Sequence, residues 1–205
     1  TAPHLLPGWL RMPQGHRVVG PVYAQLPGEL PEFLADLAAG PQPLVYFAVG
    51  SSGNRDLVLS VLAGLGRADC QVLAPVRSHL RQEDLETLPR NVHVTDWLPA
   101  HQLGDAVDLA ITHGGEGTVQ TSCVQGWPFI GIPLQLEQRF NVQRCVAFGS
   151  ARLVSQREAR RTDWAELVRQ ALADDGMRSR ARRMAGLMEG LDGPGRAAEA
   201  ICELL

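Results

Sequence analysis

A histidine and three glycines follow a short apolar run in the middle of the chain. Residues 109–112 suit a buried strand of a parallel sheet, and the sequence His-Gly-Gly-Glu-Gly-Thr at 113–118 comes directly after it. Glycines let the backbone turn sharply and bring bare N–H groups close to a ligand. Thr118 is a candidate cap or first-turn donor for the next helix. A helix start favours an anion, most often phosphate, although an ordinary strand-to-helix turn has the same pattern.

The residues after this turn extend the pattern. Gly-Trp-Pro at 126–128 ends the predicted helix, and the apolar segment 129–133 predicts a second strand. Glu137 and Gln138 follow just beyond the carboxyl end of that strand. Ligands of open α/β sheets bind at this edge. The turn and the two polar side chains are therefore expected to belong to one site.

The stretch HGGEGTVQTSCVQGWPFIGIPLQLEQRFN, at 113–141, resembles the donor-binding signature of GT-B glycosyltransferases of the UDP-glycosyltransferase-like superfamily. That signature reads HGGxGT, an apolar helix, GxPxxxxP, and an acidic residue followed by Gln and a nearby Asn. The resemblance is to bacterial natural-product transferases of the macrolide and antibiotic type, and it extends from about Gly20 to the C-terminus. It implies one half of a GT-B fold, the half that binds a nucleotide-diphosphate sugar.

The resemblance also implies a role for individual residues. Those expected at the diphosphate are His113, Gly115, Gly117, Thr118, Ser51 and Ser52. Those expected at the base and ribose are Trp97, Leu98 and Thr121. Glu137 and Gln138 are expected at the transferred sugar, because a carboxylate and an amide together accept and donate hydrogen bonds. The family's general base comes from an N-terminal domain, so no catalytic residue is expected in this chain.

Each role has a purely structural alternative. His113 could be a buried core histidine with satisfied nitrogens, and Trp97 could fill the core at a strand end. Thr121 could pack within its helix, and Glu137 could serve only to charge the first turn of the helix that follows. Ser51 and Ser52 could belong to a simple strand-to-helix turn with a serine cap.

Three positions depart from the family pattern. Ala100 stands where many relatives have Gln, and Glu137 replaces the commoner Asp. Thr121 stands where many relatives have a glutamate that binds two ribose hydroxyls. A carboxylate makes stronger bonds to hydroxyls than threonine does. The absence of the glutamate therefore suits a nucleotide whose ribose lacks one hydroxyl. We therefore expect a dTDP-sugar to be preferred over a UDP-sugar.

Alternating apolar runs and helical segments predict a Rossmann-like, three-layer α/β sandwich with about six parallel strands. Residues 1–43 are rich in proline and glycine and are predicted to form an interdomain linker, with one short strand at 17–19 and one helix from Pro31 to Gly40. Residues 44–205 are predicted to form the nucleotide-sugar-binding domain. Its strands are predicted at 44–49, 71–76, 92–97, 109–112, 129–133 and 151–154. The helices after the last strand are predicted at 163–173, 177–188 and 195–205.

Composition narrows the function classes. A chain of 205 residues with 45% hydrophobic residues and a net charge of -3 indicates one soluble domain and disfavours nucleic acid as a partner. The four cysteines are widely spaced in apolar segments, which indicates reduced core residues. No segment is long enough to span a membrane, so a cytoplasmic protein is expected. The histidines show no metal-binding spacing, and neither a metal nor a cofactor is expected.

The predicted function is the donor half of a hexosyltransferase. It binds a nucleotide-diphosphate sugar for inverting transfer to an acceptor hydroxyl of a small molecule. Its partner is an N-terminal acceptor-binding domain or subunit, without which the chain is expected to be inactive. Three alternatives stay open: one subunit of a split glycosyltransferase, a non-catalytic nucleotide-sugar-binding module, or part of a UDP-sugar 2-epimerase, against which the HGGxGT form and the absent ribose carboxylate argue.

Overall fold

A single parallel sheet organises the chain. The computed structural model describes residues 6, 13–22, 25 and 27–203. Its six strands are Leu44–Ala48 (β1), Gln71–Ala74 (β2), Val92–Val94 (β3), Leu109–Thr112 (β4), Phe129–Gly131 (β5) and Ala151–Leu153 (β6). Every neighbouring pair is parallel, and the order across the sheet is β3-β2-β1-β4-β5-β6. The predicted fold class and strand number are confirmed.

Helices cover both faces of this sheet. The helices of the described residues are Phe33–Ala39 (α1), Arg55–Leu65 (α2), Gln82–Leu85 (α3), Glu116–Gln125 (α4), Leu136–Phe148 (α5), Gln156–Ala159 (α6), Trp164–Leu172 (α7), Asp175–Met188 (α8) and Gly193–Cys202 (α9). Parallel strands need such crossovers, because the chain must return to the same end of the sheet before each new strand. None of the described helices is both long enough and apolar enough to cross a bilayer.

Side chains of β1 alternate between two buried clusters. Val45 and Phe47 face the cluster that contains Trp164 of α7, whereas Leu44 and Tyr46 face the cluster that contains Met184 of α8. This alternation is the two-residue period of a strand. All five residues of β1 are buried, because both faces of a central parallel strand are covered.

The order of the strands reverses at the centre of the sheet. From β1 the chain moves outward to β2 and β3, and from β4 it moves outward on the opposite side to β5 and β6. The connections that leave β1 and β4 therefore diverge and open a crevice at the carboxyl ends of these two strands. The glycine turns after both strands lie at this crevice.

The predicted strand at 17–19 is wrong. This segment has no strand structure, and Arg17 forms an ion pair with Glu203 at the end of α9. Gly20 lies against Leu191 and Gly193, so the segment crosses the start of α9 and does not run along a sheet edge. A strand requires a neighbouring strand for its hydrogen bonds, and none of the described strands pairs with this segment. The assignment of residues 1–43 to a linker remains a prediction.

Other differences concern the ends of elements. The strands predicted at 71–76, 92–97 and 129–133 each end two or three residues early, because the chain leaves the sheet for loops at its carboxyl edge. Helix α6 was not predicted, although Ser155 and Glu158 form a capping box around it. Cys70, Cys123 and Cys145 are buried free thiols as expected, whereas Cys202 is exposed. Residues 204 and 205 of the last predicted helix lie outside the described residues.

Candidate functional site

The turn between β4 and α4 is held by a chain of hydroxyl hydrogen bonds. The N–H of Gly114 donates to Thr112 Oγ1 over 3.3 Å, Thr112 Oγ1 donates to Thr118 Oγ1 over 2.8 Å, and Thr118 Oγ1 donates to the carbonyl of Gly115 over 2.9 Å. Gly115 is the N-cap of α4 and has no side chain to offer, and no side-chain cap of this helix occurs among the described residues. Thr118 therefore lies inside the first turn and is not the cap.

The start of α4 leaves backbone donors without a helical partner. The first hydrogen bond within the helix joins the N–H of Val119 to the carbonyl of Gly115 over 3.0 Å. The N–H groups of Gly117 and Thr118 come before that bond, so the helix itself does not use them. Such a helix start carries a partial positive charge and favours an anion.

Helix α5 fixes the same turn from the other side. Asn141 Nδ2 donates to the carbonyl of Gly114 over 3.1 Å and to Glu137 Oε1 over 2.5 Å. Gly114 has φ +85°, and a Cβ there would lie 2.5 Å from Cγ2 of Val142. Only glycine combines this backbone conformation with this close packing. The asparagine of the sequence signature thus positions the glycine turn, a role that the sequence did not predict.

His113 is buried against two glycines. Its residue is 7% exposed, and a Cβ on Gly115 would lie 2.4 Å from the ring Nε2, while one on Gly50 would lie 2.9 Å from Cε1. Among the described residues, Nδ1 has no hydrogen-bond partner. By this geometry, one ring nitrogen of the buried histidine lacks a described partner, which differs from the fully satisfied core histidine of the alternative. The glycines instead make room for an imidazole at the mouth of the crevice.

Burial controls the charge of this histidine. It lowers the pKa of His113 below its ordinary value, and the Ala48 carbonyl and the Glu137 carboxylate act in the opposite direction more weakly. The ring is therefore neutral near pH 7, with one nitrogen protonated as a donor and the other an acceptor. A neutral N–H beside the start of α4 can donate to an anion without the cost of burying an unpaired charge.

The turn between β1 and α2 lies on the other side of the crevice, opposite the β4–α4 turn. Gly50–Ser52 is a single 3-10 turn, and the ring Nε2 of His79 donates to the carbonyl of Gly50 over 2.7 Å. Helix α2 is capped by Asn54, whose side-chain oxygen accepts from the N–H of Leu57 over 3.0 Å. Sequence reasoning missed both His79 and Asn54. The Asn54 cap was detectable, because asparagine is a preferred residue at that position.

A cavity of about 270 Å³ lies between β1, the loop after β3 and the start of α4. Of the predicted site residues, its lining includes Trp97, Leu98, Gly117, Thr118 and Thr121. The base and ribose residues predicted from the sequence are therefore neighbours in space. The volume is close to the lower end of small-molecule pockets, roughly 300 Å³, which suits one part of a nucleotide sugar.

The side chains of this cavity differ in exposure. Trp97 is 54% exposed and Leu98 is 4% exposed. The alternative of Trp97 as a core residue is therefore wrong, and its ring is available for stacking. Thr121 Oγ1 donates to the carbonyl of Gly117 over 2.9 Å, so its hydroxyl proton is used within α4. Ala100 also lines the cavity and offers no polar group there.

The two residues predicted at the sugar differ in their environments. Glu137 is exposed in the first turn of α5. Gln138 is 3% exposed, accepts from the N–H of Leu134 over 2.9 Å and donates to Ser52 Oγ over 3.2 Å. Gln138 therefore joins the loop after β5 to the β1–α2 turn, whatever else it binds. Ser51, in the same β1–α2 turn, is exposed. The ligand contacts of all the predicted site residues stay predictions.

No group of three or more His, Cys, Asp or Glu side chains that could hold a metal ion occurs in the part of the chain that the structure describes. The donors around the crevice are instead backbone N–H groups, a neutral imidazole and hydroxyls. This set of groups suits an anionic ligand better than a cation.

Curated relatives match most of the chain. The PGL/p-HBAD biosynthesis rhamnosyltransferase of Mycobacterium bovis is 30% identical over 183 residues, covering 89% of this chain and 40% of the relative. The 4'-demethylrebeccamycin synthase of Lentzea aerocolonigenes is also 30% identical over 183 residues, covering 84% of this chain and 41% of the relative. The chain thus spans less than half the length of these relatives.

Solved structures share the fold. The spinosyn rhamnosyltransferase SpnG complexed with thymidine diphosphate aligns with a TM-score of 0.77 and 21% identity, over 98% of this chain and 54% of that one. The glycosyltransferase VinC in complex with dTDP aligns with a TM-score of 0.71 and 21% identity, over 86% of this chain and 45% of that one. At this level of identity, the likeness concerns the fold.

The family itself is shown by a family model. The model of the erythromycin biosynthesis protein CIII-like C-terminal domain matches residues 59–204. This segment contains the glycine turn after β4, the cavity loop and helices α4 and α5. The resemblance inferred from the residues at 113–141 is confirmed: the chain belongs to the family of erythromycin biosynthesis protein CIII-like C-terminal domains.

Proposed function

We propose that this chain is the donor half of a glycosyltransferase and binds a nucleotide-diphosphate sugar at the crevice between β1 and β4. One observation carries the proposal: His113 is fixed between Gly50 and Gly115, beside a helix start that no side chain caps. A neutral imidazole and unused backbone N–H groups converge at the point where α/β sheets bind ligands. This is the arrangement that a diphosphate requires.

The proposed chemistry follows from these donors. When the sugar is transferred, negative charge builds up on the departing diphosphate, and donors already aimed at it stabilise that charge. His113 and the N–H groups of Gly115, Gly117 and Thr118 supply the donors, and the dipole of α4 adds a favourable field. Because these groups can stabilise the negative charge of the leaving group, we propose that no metal is required.

The acceptor side of the reaction needs a second unit. Inverting transfer requires the acceptor oxygen to attack from the face opposite the diphosphate, and a general base to take its proton. We propose that both the base and the acceptor site belong to an N-terminal acceptor-binding domain or subunit. The length of the relatives, of which this chain covers 40–48%, supports this division. The acceptor is proposed to be a small molecule, as the names of the relatives suggest.

The nucleoside is proposed to occupy the cavity beside Trp97. Its exposed ring can stack on a pyrimidine base, and the backbone of Leu98 can bind the base edge. The hydroxyl of Thr121 offers less to a ribose than a carboxylate would, which favours a deoxyribose and hence a dTDP-sugar. Two structural relatives solved with thymidine diphosphate support this choice. Glu137 and Gln138 are proposed to bind hydroxyls of the transferred sugar.

Isothermal titration of the 205-residue chain with dTDP and UDP tests the proposal. We expect saturable binding, with dTDP the tighter ligand. His113→Ala is expected to weaken binding by about 10- to 150-fold, the value of a hydrogen bond to a charged group. The exposed His16 supplies a matched control, because His16→Ala removes an imidazole outside the turn. Absence of binding would refute a preformed donor site, and equal or tighter UDP binding would refute only the dTDP preference.

A second candidate is a nucleotide-sugar-binding module without transferase activity. One observation favours it: none of the described residues that line the cavity is a carboxylate that could act as a general base. The two candidates predict the same nucleotide binding. They are separated by supplying an acceptor-binding half from a relative and assaying transfer, which only a true donor half restores.

A further inference from the structure

One hydroxyl in the cavity has no role in the proposed function so far. Tyr46 lies in β1 and is 7% exposed. Its ring packs on Trp127 with the ring centres 5.8 Å apart, and the residue lines the 270 Å³ cavity. Its phenol oxygen makes no hydrogen bond to any of the described residues, and its pKa is raised by burial alone. Tyr46 is thus a largely buried residue in the cavity lining, and its phenol proton has no partner among the described residues.

The other two hydroxyls of the cavity are already engaged. Thr118 donates its proton to the carbonyl of Gly115, and Thr121 donates its proton to the carbonyl of Gly117. A hydroxyl has only one proton to donate. Both threonines can therefore accept from a ligand, but neither can donate without giving up a backbone contact. Tyr46 is the cavity hydroxyl whose proton remains available.

The position of Tyr46 indicates which part of a nucleotide it meets. Tyr46 and Ala48 lie on the same face of β1, and Gly50 follows at the carboxyl end of the strand, against His113. Two residues of extended chain, about 7 Å, separate Tyr46 from the end of β1 at Ala48, and the turn that carries Gly50 follows. Tyr46 lines the cavity together with Trp97, Leu98 and Thr121, the residues predicted at the base and ribose, and we therefore assign it to the nucleoside side.

We propose that Tyr46 is a nucleoside-recognition residue whose phenol O–H donates a hydrogen bond to an acceptor oxygen of the base or the sugar of the bound nucleotide. This inference rests on the proposed function, because it assigns a further contact to the same nucleotide site. The contact is neutral, so it adds selectivity without adding charge. The phenol O–H has no partner among the described residues to give up, so a ligand oxygen that accepts from it adds one hydrogen bond to the complex.

The substitution Tyr46→Phe isolates this hydroxyl. It keeps the ring that packs on Trp127 and removes only an oxygen that has no partner among the described residues. The folded chain therefore loses no internal hydrogen bond, and its melting temperature is expected to stay the same. A purely structural role of the hydroxyl would instead change the melting temperature and leave binding intact.

Titration of the wild type and of Tyr46→Phe with dTDP, UDP and inorganic pyrophosphate tests the proposal. We expect dTDP binding to weaken by about 2- to 12-fold, the net value of one neutral hydrogen bond, without an equal loss for pyrophosphate. An equal loss of dTDP and UDP affinity would mean that the contacted oxygen is common to both nucleosides. A loss confined to one of them would show that Tyr46 discriminates between them. Either result supports the proposal.

Two results would overturn it. Unchanged affinity of Tyr46→Phe for both dTDP and UDP, with a wild type that binds, would remove the role of Tyr46 and leave the proposed function intact. An equal loss for pyrophosphate would assign the hydroxyl to the diphosphate. A wild-type chain that binds no nucleotide would refute the proposed function and this inference together, so the two failures are distinguishable.

Discussion

Two glycine turns meet at the centre of the sheet, and they satisfy their helices in different ways. The turn after β1 leads into α2, whose first turn is capped by the side chain of Asn54. The turn after β4 leads into α4, whose N-cap is Gly115 and which has no side-chain cap. The protein itself thus satisfies the start of one helix and leaves donors at the start of the other. In sequence, both turns were predicted to bind diphosphate.

This difference shows that two similar turns can have different roles in one site. The β4–α4 turn is made rigid by threonine hydroxyls and by Asn141, and its helix start remains available to an anion. The β1–α2 turn instead places Gly50 against the ring of His113, and Ser52 accepts from the buried Gln138. One turn carries the donors and the other holds the histidine and the neighbouring loop in position.

The largest effect is expected at Gly114, where the β4–α4 turn has no room for a side chain. Gly114→Ala adds a methyl group 2.5 Å from Cγ2 of Val142 at a residue with φ +85°. We expect a loss of roughly 2–5 kcal/mol in the free energy of unfolding, from left-handed strain and overpacking. Gly117→Ala is the matched control, because nothing lies within 4 Å of a Cβ there. Urea unfolding followed by circular dichroism measures both, and equal stabilities would contradict the packing argument.

The second effect tests the supporting role of the β1–α2 turn. Ser52→Ala removes the acceptor of the buried Gln138 amide, and we expect a loss of about 1–3 kcal/mol in the free energy of unfolding, the cost of an unsatisfied buried group. Ser51→Ala is the matched control, since Ser51 is exposed and its removal is expected to leave stability unchanged. Thermal unfolding of the two variants provides the comparison. A larger loss in Ser51→Ala would reverse the roles assigned to the serines.

Much of this fold could be predicted because its strands are central and parallel. Runs such as 44–48 and 109–112 are apolar at every position, since both faces of the sheet are covered. The glycine turn at 113–117 was recognisable because its backbone passes close to other groups, such as the side chains of Val142 and His113. The grouping of Trp97, Leu98 and Thr121 around one cavity also followed the sequence signature.

What the sequence could not predict depends on contacts between distant elements. The sequence placed Gln138 at the sugar, but it did not reveal that the amide of this buried residue also bonds to Leu134 and Ser52. The available proton of Tyr46 becomes evident only once the threonine protons are assigned to backbone carbonyls. The segment 17–19 has strand-like residues, but its position over α9 is set by packing and not by local preference. Local patterns carry no information about such partners.

The third prediction concerns whether the Asn54 cap stabilises α2 without affecting nucleotide binding. Asn54→Ala is expected to lower the free energy of unfolding by about 1 kcal/mol, because the N–H of Leu57 loses its side-chain acceptor. Asn54→Asp keeps an oxygen at this position and is expected to retain the stability. Because α2 does not offer its start to the ligand, dTDP affinity is expected to be equal in both variants. A loss of dTDP binding in Asn54→Ala alone would mean that this turn also carries the diphosphate.

The smallest expected effect is the pH dependence of the free energy of unfolding that His113 contributes. Burial lowers the pKa of His113 in the folded protein below its ordinary value of 6.5, so the unfolded chain takes up a proton first as the pH falls. Stability is therefore expected to decrease from about pH 6.5 down to the lowered folded pKa and to be independent of this group at higher pH.

The pKa of His93 is also lowered by burial, so both histidines contribute to the pH dependence of the wild-type stability. The contribution of one histidine is obtained by comparing the wild type with a variant that lacks it. Below about pH 6.5, we expect His113→Asn to flatten part of the stability profile and His93→Asn to flatten another part. Saturating dTDP should flatten the His113 part as well, because a bound diphosphate favours the protonated ring and opposes the effect of burial. If dTDP flattened the profile of the His113→Asn variant equally, the anion would have to act on a group other than His113, and the division of work between the two turns would fail.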